Sequence, residues 1–231
     1  MNKTTRNNMS EKVFALAALT FAAASNASVI INEIDYDQPG TDTAEFIELF
    51  NSGTGDIVLD GYFIDLVNGG TSSVYGNIDL TGFNIGSSGY FVICNDTTLV
   101  ANCNYAFTTS TGWMQNGAPD AIALYDGNGL LDSLSYEGAL SPFNEGTTLT
   151  TGDSNTIIMS ISRIPNGIDT NDNHLDFESG CLTPGTANIA GTGDCSSLST
   201  SPVPLPPAVL LFGSGLIGLA GLARRKSILE I

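Results

Sequence analysis

Apolar and polar residues alternate in short runs along most of this chain. The runs are VIINEID (29–35), EFIELF (45–50), YFIDLV (62–67), YFVIC (90–94), AIALYD (121–126), LLDSLSY (130–136) and TIIMSIS (156–162). Each is rich in β-branched and aromatic residues and bounded by Gly, Asn, Asp or Pro, the pattern of strands separated by turns. In the last run Ile157, Met159 and Ile161 share one face of a two-residue period and Ser160 and Ser162 share the other. That is what a half-buried antiparallel strand requires. Asp126-Gly127-Asn128-Gly129 between two runs reads as a hairpin turn, because Gly and Asn accept positive φ at low cost. Between 28 and 200 no stretch has the 3.6-residue period of an amphipathic helix. Seven or more short strands predict an all-β fold, an antiparallel β-sandwich, while leaving the strand order open.

The two ends depart from this pattern. Residues 1–27 carry Lys3, Arg6 and Lys12, then an apolar stretch (13–24), then Ser25-Asn26-Ala27. That is the layout of a cleavable signal peptide cut after Ala27. At the other end Val203-Pro204-Leu205-Pro206-Pro207 precedes an uncharged apolar run of 16 residues (208–223), followed by Arg224, Arg225 and Lys226. Counted from Leu205 the apolar segment would be about 28 Å long as a helix, close to a bilayer core of about 30 Å. The cations after it predict a cytoplasmic end, with everything upstream on the far side of the membrane. The predicted organisation is therefore a signal peptide (1–27), a sandwich domain (28–190), a Gly/Ser/Thr-rich linker (191–202), the tail signal (203–226) and a short end (227–231).

Charge narrows the partners. Of 24 acidic residues all but Glu11 and Glu230 fall in the exported segment, against one cation there, Arg163. Such a surface predicts no nucleic-acid partner, since backbone binding needs Lys and Arg. Four cysteines, Cys94, Cys103, Cys181 and Cys195, fit two disulfides in an oxidising compartment. Four cysteines allow three connectivities, and neighbours along the chain favour Cys94–Cys103 with Cys181–Cys195. With no C-x-x-C pair and one histidine, His174, a zinc site is disfavoured.

Two acidic clusters invite a calcium reading. Glu33, Asp35, Asp37, Asp42 and Glu45 flank a Gln38-Pro39-Gly40 turn and form either a calcium site or a solvated acidic edge. Asp169, Asn171, Asp172, Asn173 and Asp176 begin like an EF-hand loop, but His174 and Gly180 stand where that loop needs Gly and Glu. Arg163, alone among the acids, predicts a structural ion pair with Glu48 or Glu33. No G-x-S-x-G turn and no Gly-rich phosphate cradle is present. Catalysis is not expected. The alternative is a secreted hydrolase, or an accessory subunit of one, using the acidic cluster near Asp35 as a metal site.

The proline motif, the run LLFGSGLIGLAGLARRK and the basic cluster together resemble a PEP-CTERM sorting signal, with Leu205 standing where the family has Glu. The resemblance implies processing by an exosortase-type membrane peptidase in a Gram-negative bacterium. It also implies a transient inner-membrane anchor through 208–223 and an association with exopolysaccharide and biofilm material. A second resemblance covers 29–188. IINEIDYDQPGTDTAEFIELFN (30–51), IVLDGYFI (57–64), SSGYFVI (87–93), APDAIALYDGNGLLDSLSYEG (118–138), SISRIPNGIDTNDNHLDF (160–177) and TPGTAN (183–188) are similar to a lamin-tail domain. It implies an immunoglobulin-like β-sandwich and no particular activity. Together they predict a non-catalytic surface or extracellular-matrix protein, a structural or binding module whose partners are exopolysaccharide or other surface proteins.

Overall fold

Six of the seven alternating runs become strands within one residue of where the pattern puts them. In the computed structural model, which describes residues 29–117 and 119–193, the strands in chain order are β1 (Val29–Asp35), β2 (Phe46–Asn51), β3 (Ile57–Val58), β4 (Phe63–Asn68), β5 (Ser73–Asp79), β6 (Asn84–Ile85), β7 (Tyr90–Cys94), β8 (Cys103–Ala106), β9 (Asp120–Asp126), β10 (Gly129–Tyr136), β11 (Ser160–Arg163) and β12 (Phe177–Gly180). One helical turn, α1 (Asn173–Asp176), is capped by the Asp172 side chain. The predicted signal peptide, the tail signal, Cys195 and most of the linker lie outside the described residues.

The strands form a six-stranded sheet in the order β12-β11-β1-β2-β7-β8, a four-stranded sheet in the order β10-β9-β4-β5, and a short β3-β6 pair. The all-β sandwich expected from the pattern is thus what forms. Its strands pair antiparallel with one exception. β8 lies parallel to β7, Val92 opposite Cys103 and Cys94 opposite Ala106. An eight-residue connection makes that crossover, and the Cys94–Cys103 disulfide bridges it with Cα atoms 5.9 Å apart.

Alternation delivers the core. Ile31 and Ile34 of β1, Ile47 and Leu49 of β2, Phe91 and Ile93 of β7 and Ile161 of β11 meet Ile64 and Leu66 of β4, Ile122 and Leu124 of β9 and Leu134 and Tyr136 of β10. Each such aliphatic side chain contributes about 1.5–3 kcal/mol by leaving water. The other face of the six-stranded sheet is covered too. Phe46, Val92 and Cys94 pack there with Val100 and Leu182.

A bulge in β1 sets what faces that second layer. Ile31 opposes Leu49, yet Glu33 opposes Glu48, so Asn32 is an extra residue. One extra residue shifts the phase of a strand. Asn32 and Glu33 therefore both reach the segment 181–188 that covers this face, the first at Asn188 and the second at Thr183.

Three expectations change. Only 160–162 of the run 156–162 is strand, and Ile157 and Ile158 are about half exposed. Ser160 and Ser162 are buried, not solvated, because residues 181–188 lie over them and Ser160 Oγ donates to Glu33. The 126–129 hairpin forms with Gly127 and Asn128 between paired Asp126 and Gly129, but the positive φ falls on Gly129 (142°). Asp126 Oδ1 accepts the N–H groups of Asn128 (2.7 Å) and Gly129 (3.1 Å), the Asx arrangement that closes such a turn.

Candidate functional site

Arg163 is the largest fully buried side chain of the described residues. It ends β11, one residue beyond Ser162, and strand alternation sends it to the opposite face from Glu33 and Glu48. The predicted Arg163–Glu48 pair is therefore not formed, nor is one with Glu33. Glu48 instead accepts from Asn32 Nδ2 (2.7 Å) and the N–H of Gly185 (2.6 Å). Arg163 turns toward the four-stranded sheet, where Nη2 donates to both oxygens of Asp132 (2.9 and 3.1 Å) and Nη1 to Asp176 (2.8 Å) and Asp169 (3.3 Å). Nε donates to the Ile31 carbonyl (2.7 Å), and the guanidinium carbon lies 4.4 Å from the centre of the Phe177 ring.

Glu145 completes this cluster. Its Oε1 accepts the backbone N–H (3.0 Å) and hydroxyl (3.2 Å) of Ser133, while Oε2 is buried without a partner. Burial, then the nearby Asp132 and Asp169 charges, lift its carboxyl to about 7. Burial lifts Asp132 to about 6, against the pull of Arg163. One oxygen each of Asp132, Glu145 and Asp169 lie within 4.8 Å of one another, the one such acidic trio among the described residues. The Arg163 guanidinium already pairs with two of the three, Asp132 and Asp169. Sequence reasoning missed Asp132 and Glu145; the signal for Asp132 was a lone carboxylate interrupting the run LLDSLSY.

Of the five acids read as a calcium site or a solvated acidic edge, Glu33 and Glu45 lie apart from the other three. Glu33 accepts from Ser160 Oγ (2.6 Å), Thr183 N (3.0 Å) and Thr183 Oγ1 (2.8 Å). Glu45 holds the N–H groups of Trp113 (2.8 Å) and Met114 (3.1 Å). Asp37 and Asp42 share Asn116 Nδ2 (3.1 and 3.2 Å), and Asp42 also takes the N–H of Gln38. Asp35 accepts from Gln38 Nε2 (3.1 Å) and lies against Asp153. The five do not converge on one ion. Backbone alternation and the Asn32 bulge separate them, and each saturates local donors instead. Asp35, Asp37 and Asp42 stay neighbours through Gln38 and Asn116, and the second cluster, like the first, is divided among local partners. Of the second, Asp169 and Asp176 serve Arg163, and Asp172 caps α1 and accepts from Thr147 Oγ1.

Asp35 and Asp37 do reach a cleft. It has a volume of about 240 Å³ and is walled by Gln38, Thr41 and Thr43 on one side and Ile158, Met159 and Leu182 on another. Asp153, behind Asp35, accepts from the N–H groups of Tyr36 (2.8 Å), Ser154 (2.8 Å) and Asp37 (3.3 Å). Those donors favour the ionised form of Asp153, so Asp35, pushed well up by burial and by the Asp153 charge, holds the proton of the pair. Burial also raises Glu33 to about 7 and Glu45 to about 8.

Cys181 is disulfide-bonded as well, and Cys195, with which it is expected to pair, lies outside the described residues. No described cysteine is free.

A two-sheet β-sandwich whose polar interior clamps its own connections is the class of protein this geometry defines. A family model, the Lamin Tail Domain, matches residues 22–138, and the chain belongs to the lamin-tail domain family. Among solved structures, a crystal structure of a DUF4876 family protein from Bacteroides thetaiotaomicron is similar at 13% identity and a TM-score of 0.44, covering 68% of this chain and 72% of that one. No curated protein matches the chain.

Proposed function

We propose that this lamin-tail protein is an exported, non-catalytic module of the cell surface or extracellular matrix, sorted through its tail by an exosortase-type peptidase. The observation that carries the reading is the Cys94–Cys103 disulfide, a bond that persists where thiols are not kept reduced. The interior supports it. Buried Glu33, Glu45, Glu48, Asp132 and Asp176 are all engaged by backbone N–H groups, hydroxyls, amides or Arg163. Side chains spent on holding loops are not free to act on a substrate. The signal-like 1–27 and the tail 203–226 supply the route, with the inner membrane as a transient station. In this reading the module works by contact with exopolysaccharide or neighbouring surface proteins.

Mass spectrometry of the protein recovered from cells and from medium tests it. The expected product begins at Ser28 and ends near 203–207, without 208–223. Recovery of the intact chain in the cytoplasm, with Cys94 and Cys103 reduced, would overturn the proposal.

A further inference from the structure

The outer face of the four-stranded sheet carries a second feature, away from the clefts and networks above. Ile64, Leu124 and Ile78 point into the core, so their neighbours Phe63, Tyr125 and Asp79 point outward. Register places these three in one row across β5, β4 and β9, with Phe63 opposite both Asp79 and Tyr125. The Phe63 and Tyr125 rings are stacked, 4.9 Å apart with planes 8° from parallel. The next row on the same face holds Asp65 and Asn77, joined by a 2.7 Å hydrogen bond from Asn77 Nδ2. A shallow, open hollow of about 340 Å³ lies between the Phe63 side and the Asn77–Asp79 side. The far end of this face is closed by Leu140 and Phe143 over Val67 and Ala121. The Phe63–Tyr125 end is open, both rings half-buried and Asn77 and Asp79 exposed.

We propose that this row binds a neutral polysaccharide chain. The proposal deepens the surface-module reading and rests on it for the encounter with a polymer. A sugar ring has an apolar C–H face and a rim of hydroxyls. The electron-rich face of an aromatic ring suits the first. Carboxylates and an amide beside the ring suit the second. Asp65 and Asp79 accept from hydroxyls, and Asn77 both accepts and donates. Charge decides between polymers. Asp60, Asp65, Asp79 and Asp126 surround or border the row, no Lys or Arg lies on β4, β5 or β9, and the chain is 17 charges negative. An anionic glycan or lipid surface would be repelled. An apolar protein surface laid on the rings would bury Asp79 and Asp65 without partners, at a large desolvation cost. A cross-strand aromatic pair stabilises a sheet wherever it occurs. An open hollow flanked by Asn77 and Asp79 beside that pair is not needed for stability.

Native affinity electrophoresis of the full chain in mild detergent tests the assignment. The gels contain a β-1,3-glucan, a β-1,4-glucan, dextran or polygalacturonate. Retardation by at least one neutral glucan is expected. It should fall at least tenfold in Tyr125→Ala and several-fold in Asn77→Ala, an exposed substitution that spares the fold, with melting curves run alongside. Retardation by none of the neutral polymers, retardation by polygalacturonate alone, or retardation unchanged in both variants would overturn it. Failure of the export reading appears separately, in the mass of the recovered protein.

Discussion

Asp132 on β10 and Arg163 on β11, 31 residues apart, meet at 2.9 and 3.1 Å with both side chains shut away from solvent. Their contact joins the two sheets of the sandwich. Asp132 also accepts the Ile31 N–H (2.6 Å) and Arg163 donates to the Ile31 carbonyl (2.7 Å). The pair thus replaces the strand partner that β1 lacks beyond the end of β11. Arg163→Ala would strand Asp132 and Asp176 in the interior, a loss of about 3–5 kcal/mol. At roughly 2–4 °C per kcal/mol for a domain of this size, the melting midpoint should fall by on the order of 10 °C. An unchanged midpoint would sink the idea that this pair joins the sheets.

Stability should decrease as pH rises. Glu33 and Glu145 are raised to about 7 and Glu45 to about 8, in each case chiefly by burial. A carboxyl that binds its proton more tightly in the folded state contributes stability that is complete below its unfolded pKa, near 4. That contribution is lost as pH climbs through the folded value. Urea midpoints at pH 5 should therefore exceed those at pH 8.5, with most of the difference surviving in 0.5 M salt, where long-range repulsion is screened. A midpoint equal or higher at pH 8.5 would contradict the burial of these groups in protonated form.

Glu45 anchors the loop that carries the sole tryptophan. Its carboxyl receives the N–H groups of Trp113 and Met114. Glu45→Ala removes both acceptors, a cost on the order of 2 kcal/mol. Trp113 emission should shift to the red, and exchange of the amides at 113 and 114 should accelerate, before global unfolding. Emission that stays at the wild-type wavelength would show that the loop is held elsewhere.

The Cys94–Cys103 bridge closes the crossover into the parallel edge strand β8. Replacing both cysteines by serine should lower stability by about 3 kcal/mol in the chain-entropy account. Hydrogen exchange should rise first in 103–106, because an edge strand pairs on one side. Loss spread evenly over β1 and β2 would argue instead for a role in the whole six-stranded sheet.

Some of this was legible residue by residue. β1 and β7 coincide with their alternating runs, and the 126–129 turn and the nearest-neighbour cysteine pair form where expected. β5 escaped notice because SVYGNID is an edge strand broken by Gly76 and Asn77, with little apolar pattern to find. The run 156–162 misled because its first half, Ile157 and Ile158, pairs with no strand. Acidic clusters misled in another way. Glu33 and Glu45 are neighbours in a list of acids but serve different backbone segments, 150 and 68 residues on.

What the sequence by itself determined is the six main strands β1, β2, β4, β7, β9 and β10 and the two-layer class they belong to, because a two-residue period is a local property and burial rewards it wherever a partner sheet exists. The fate of the charges was decided only in three dimensions. One inserted residue at Asn32 and the end of β11 at Arg163 settle which face each polar side chain occupies. A buried charge must then find its partner across the sandwich, at whatever distance along the chain that partner lies.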